Sequence, residues 1–77
     1  MRRGDLPAAR TAFLSAIQAN GADSEPYFQL ARVDMAQGRK ENAAQSLRRA
    51  IELGGEVYAQ RASMDETLAP LIAPRPQ

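Results

Sequence analysis

Seventy-seven residues with a net charge of +1 make one small domain, 44% hydrophobic and 25% charged. That balance argues against intrinsic disorder and gives no electrostatic reason to expect nucleic acid or an acidic membrane surface as partner. Cysteine and histidine are both absent, which removes disulfides, thiol nucleophiles, imidazole bases and most zinc or haem sites.

The opening residues, Met1 to Asp5, have no apolar stretch behind their two arginines and do not read as a signal peptide. No apolar run approaches the roughly 20 residues that span a bilayer, so membrane insertion is not expected. This leans toward the cytoplasm, although the lack of cysteine fits either side of a bacterial inner membrane.

The first helix is predicted near residues 5–20. Leu6, Ala9, Phe13, Ala16 and Ile17 recur at spacings of three and four and so share one stripe. Asp5 can cap its start, Pro7 sits in the first turn where a missing donor costs little, and Asn20-Gly21 offers a left-handed stop. A second helix is predicted near 24–37, capped by Asp23 or Ser24, with Pro26 in its first turn and Tyr27, Leu30, Ala31 and Met35 on its apolar face. Gln37-Gly38-Arg39 turns the chain back, and so short a connection makes the neighbouring helices antiparallel.

The third helix, near 40–53, repeats the stripe with Ala43, Ala44, Leu47, Ala50 and Ile51 and stops at Gly54-Gly55. A fourth is predicted near 56–66, with Asp65, Glu66 and Thr67 beginning a last turn that carries Leu68. The segment 69–77 contains Pro70, Pro74 and Pro76, which favours extended chain over helix. Leu68, Leu71 and Ile72 can still fold back onto the preceding helix. Residues 1–68 therefore read as a helical domain and 69–77 as a proline-rich tail.

Shifting the chain against itself by 34 residues brings Gly4 onto Gly38, Ala9 onto Ala43, Phe13 onto Leu47, Ala16 onto Ala50, Ile17 onto Ile51 and Gly21 onto Gly55. The matches fall on apolar and turn positions, which is the mark of a structural repeat. On these residues the chain resembles the tetratricopeptide repeat family. Tyr27 stands at the first aromatic position and Leu30-Ala31 at the leucine–small pair. Gly38 is the turn glycine, followed by Ala43, Leu47 and Ala50. Asp34 departs from the pattern, standing where the family usually has a tyrosine. Leu47 stands where an aromatic is usual, and Gly21 and Gly55 where a unit usually ends in proline.

The resemblance implies an all-α fold of antiparallel helix hairpins in a right-handed superhelical array: a half-unit, one full unit and a capping helix. It also implies a concave groove for another protein's peptide or helix, lined here by Glu25, Phe28, Gln29, Arg32 and Met35. In that setting Phe28 is the candidate aromatic anchor and Arg32 the donor to a partner carbonyl or carboxylate. The lysine–asparagine carboxylate clamp of the family's chaperone-tail binders is not matched, since the one lysine is Lys40 in a turn.

A repeat helix without its partner leaves Leu6, Phe13 and Ile17 partly facing water, which costs about 1.5 to 3 kcal/mol per large side chain. Either the chain belongs to a longer solenoid, or a second copy covers this face as a homodimer.

Arg39-Lys40 and Arg48-Arg49 form the densest basic cluster, but Glu41 and Glu52 are interleaved and a solvated face is the simpler reading. Asp65-Glu66 fits a helix-end cap better than a cation site. No phosphate-cradling glycine loop is present, and no imidazole activates Ser15, Ser24, Ser46 or Ser63. The expectation is a protein-interaction module or scaffold with no cofactor and no catalysis of its own. The alternatives are a regulatory or substrate-presenting segment of a larger enzyme, and a homo-oligomerisation module.

Overall fold

The computed structural model describes residues 5–72, which form five helices and no strand: α1 (Leu6–Ala19), α2 (Ser24–Ala36), α3 (Lys40–Gly54), α4 (Glu56–Ser63) and α5 (Ala69–Ile72). Pro7 lies in the first turn of α1 and Asp5 at its N-cap, although without a side-chain capping hydrogen bond. The end of α1 departs from the left-handed stop expected at Asn20-Gly21. Asn20 is extended (φ −152°, ψ 90°), and Gly21 is not among the positive-φ glycines. The Asn20 side chain does the stopping instead, its Oδ1 accepting the Ala22 N–H at 3.1 Å in a local turn that competes with further helix.

α2 opens on Asp23, whose carboxylate accepts the Glu25 N–H at 3.1 Å. It closes on Gly38 with φ +80°. The Arg39 N–H reaches the Asp34 carbonyl at 2.7 Å and the Gly38 N–H reaches that of Met35 at 3.0 Å, the paired bonds of a Schellman end. The turn returns the chain along α2, so that Ala43, Leu47 and Ala50 of α3 are buried. Gly55 (φ +87°, ψ −169°) is at once the C-cap of α3 and the N-cap of α4, in a backbone region open essentially only to glycine.

α4 ends at Ser63 rather than near 66. The Asp65 N–H donates to the Ala62 carbonyl at 3.1 Å and the Asp65 Oδ1 accepts the Thr67 N–H at 2.8 Å, which turns the chain early. That turn drives Leu68 fully into the interior. The expectation of extended chain from residue 69 needs correction at its start. Ala69–Ile72 forms one helical turn, which Pro70 tolerates because first-turn N–H groups have no intrahelical partner. Leu71 and Ile72 pack against the core. Residues 73–77 of the expected tail lie outside the described residues.

The core joins Phe28 and Ala31 of α2, Ala43, Leu47 and Ala50 of α3, Ala62 of α4 and Leu68. Four of these seven are alanine, which lets the helix backbones approach closely. α1 contributes no buried residue. It is held to α2 by a polar contact, in which Arg10 Nε donates to Asp34 Oδ1 at 2.8 Å while Asp34 is 1% exposed. Leu30, one turn before Asp34 and so on the same side of α2, is also buried.

Candidate interaction face of α2 and α4

Glu25, Phe28, Gln29 and Arg32 recur at three- and four-residue spacing and share one side of α2. The structure brings α4 onto that side. Tyr58 donates its hydroxyl to Glu25 Oε1 at 2.9 Å, and Arg61 reaches both Glu25 oxygens, at 2.8 and 3.2 Å. Gln29 donates to Glu25 Oε2 at 2.9 Å. The carboxylate thus accepts from three side chains. Hydrogen bonds from Arg61 first, then Gln29 and Tyr58, hold its pKa down at about 2 against the opposing effect of burial. The same bond to Glu25 raises the Tyr58 hydroxyl pKa, because an ionised phenol beside a carboxylate is disfavoured.

Beneath these polar contacts Phe28 and Tyr58 meet edge to face, with centroids 5.7 Å apart. The Arg61 guanidinium lies 4.4 Å from the Phe28 centroid and 4.8 Å from that of Tyr58. At the far end Arg32 Nε pairs with Asp65 at 3.0 Å, and its Nη1 donates to Gln29 at 3.1 Å.

The predicted groove therefore changes in content. Phe28 is 3% exposed and part of the core, so it is not the aromatic anchor for a partner. The reason is geometric: Tyr58 and Arg61 sit three residues apart on α4 and cover the ring from two directions. Met35 also leaves the groove, since it is half-buried and packed against the core beside Ala31. Glu25, Gln29 and Arg32 stay on the predicted face but are tied to one another and to α4. What remains open is a shallow cleft lined by Phe28, Gln29, Arg32, Arg61, Met64 and Asp65, with Met64 84% exposed at its edge.

Tyr58, Arg61 and Met64 were not singled out from sequence. The available signal was the pairing of two i, i+3 sets, Glu25 with Phe28 and Tyr58 with Arg61, each joining an aromatic to a charge of opposite sign. Leu6, Phe13 and Ile17 of the candidate self-association face are half-buried, and Leu14 beside them is exposed. Arg48 and Arg49 are both exposed on α3, and Arg49 pairs with Glu52 at 3.1 Å. Asp65 caps its own turn and holds Arg32. No helix is long and apolar enough to cross a membrane among the described residues. No family model, no curated protein and no solved structure matches the chain.

Proposed function

We propose that the chain is a protein-interaction module of the tetratricopeptide type, with α2–α3 as its full helix pair, α1 and α4 as flanking helices of a right-handed array, and a partner segment held along α2 and α4. The observation that carries this reading is the cleft between those helices, where Arg32 and Arg61 stand beside Phe28 and the exposed Met64. The N–H groups of Arg32 and Arg61 not spent on Asp65, Gln29 and Glu25 can donate to peptide carbonyls, and an exposed methionine adapts to an apolar side chain beside them. The reading assigns the chain no catalytic step and no cofactor.

Phe28 is too deeply buried to probe such binding, because its truncation attacks the fold. A photoreactive residue at Met64 should instead cross-link a partner in cells that the same group at Lys40, on the α2–α3 turn, does not. Arg32→Ala should reduce that cross-link several-fold while leaving helicity unchanged. Identical products from both positions, or indifference to Arg32→Ala, would reject the assignment.

A further inference from the structure

The seam between α1 and α2 carries a charge at its middle. Leu6, Arg10, Phe13 and Ile17, at spacings of three and four, form the half-buried side of α1. Pro26, Leu30, Val33 and Asp34 share one side of α2 by the same spacing, and all four are buried. Leu30 and Val33 stand apart from the core cluster that holds Phe28 and Ala31, and the Arg10–Asp34 bond sets α1 over them. α1 makes no comparable contact with α3, α4 or α5. In the 34-residue register Arg10 falls on Ala44, so the repeat keeps an alanine on α3 where α1 has its charge. The two helices differ in coverage accordingly. Ala43, Leu47 and Ala50 of α3 are at most 2% exposed, whereas no residue of α1 is buried.

We propose that α1 opens and closes on α2 as one unit, with Arg10–Asp34 as its latch, while the core of α2, α3 and α4 stays folded. The latch fixes where α1 sits without holding it hard. In the docked state the attraction of the pair is set against the desolvation of Asp34, which is 1% exposed. Opening returns that carboxylate to water and recovers its hydration, a return that an apolar contact at residue 10 would not give. The rest of the docking comes from half-buried side chains, so opening exposes less apolar area than removal of a core helix. A released helix of 14 residues is marginal in water, so α1 unwinds as it opens. Opening uncovers Pro26, Leu30 and Val33, an apolar strip on a different side of α2 from Glu25, Phe28 and Arg32. The latch thereby governs when that strip meets solvent, independently of the α2–α4 cleft.

Native-state hydrogen exchange on the full chain should show the amides of Arg10 to Ala19 at one shared level of protection, at least about tenfold below that of α3. Arg10→Met should speed exchange in α1 by at least about tenfold. Leu71→Ala, which weakens the core, should speed exchange in α3 and leave α1 unchanged, because α1 opens without the core. The chain has no cysteine, so Val33→Cys places a single thiol where the native side chain is 2% exposed. That thiol should be alkylated at least about tenfold faster than the global unfolding equilibrium of the same variant allows. Equal protection of α1 and α3 overturns the proposal, as does protection that rises steadily along α1, which would be fraying. Exchange in α1 that ignores Arg10→Met, equal acceleration of both helices by Leu71→Ala, or alkylation of Val33→Cys only at the global limit also overturns it.

Discussion

The ring of Tyr58 fills the space that a side chain on Gly54 would need. A Cβ at residue 54 would collide with the Cδ2 and Cε2 atoms of Tyr58 and stand 2.6 Å from Ser24 Oγ. The end of α3, the start of α2 and the first turn of α4 therefore meet at a point where only glycine fits. Gly54→Ala should displace Tyr58 from Phe28 and Glu25, at a cost of about 1–3 kcal/mol by overpacking. In a domain of this size about 1 kcal/mol moves the melting temperature by roughly 4–8 °C. Thermal unfolding followed by circular dichroism reads this directly, and an unchanged melting temperature would contradict the close approach.

Gly38 and Gly21 look alike in sequence, each beside an amide residue at a helix end, but should respond oppositely to alanine. Gly38 has φ +80° and open space around its missing Cβ, so Gly38→Ala is strained by backbone alone, by about 1 kcal/mol. Gly21 has no positive φ, and a Cβ there would make an ordinary 3.6 Å contact with the Ile17 carbonyl. Gly21→Ala should be neutral or stabilise by up to about 1 kcal/mol through the unfolded chain. Chemical denaturation of the two variants decides between these signs.

Arg10→Met leaves the Asp34 carboxylate buried without its cation. Stranding a buried charge costs about 3–5 kcal/mol, and the low end applies because the Arg10 side chain is 29% exposed. Replacing both residues, Arg10→Met with Asp34→Leu, should recover most of that loss. A double variant no more stable than Arg10→Met alone would mean that the pair does not hold α1 to α2.

Acid should weaken the hold of α4 on α2. Glu25 has a folded pKa of about 2, below its ordinary 4.5. Its stabilising contribution is therefore complete above pH 4.5 and is lost as pH falls from there toward 2. With the Glu25 side chain 44% exposed, solvent screening limits the pair to about 1 kcal/mol or less. Carboxyl chemical shifts should place the Glu25 midpoint below its ordinary 4.5, and Glu25→Gln should flatten the acid limb of the stability profile. A midpoint at or above 4.5 would contradict the hydrogen bonds from Arg61 and Tyr58.

Helix positions were legible in sequence because apolar spacing, prolines and glycines encode them locally. Ala43, Leu47 and Ala50 mark a buried stripe whatever covers it, and Gly38 marks a turn by its backbone freedom. Local cues failed where two chemistries compete for one job. At Asn20-Gly21 the asparagine side chain ends the helix and the glycine does not. At Ala69–Ile72 a proline reads as a breaker until its first-turn position is known. The α2 face was found as a set of residues but not in its burial, because whether Phe28 faces water depends on Tyr58 and Arg61, some thirty residues away. The partner of Asp34 was equally hidden, since nothing near it in sequence announces Arg10.

Gly55 belongs to two helices at once, closing α3 and opening α4 with a single pair of torsion angles. A joint of one residue has almost no slack. The start of α4 is thereby set directly by the end of α3, and a single inserted residue should shift where Tyr58 and Arg61 meet α2 while leaving each helix intact.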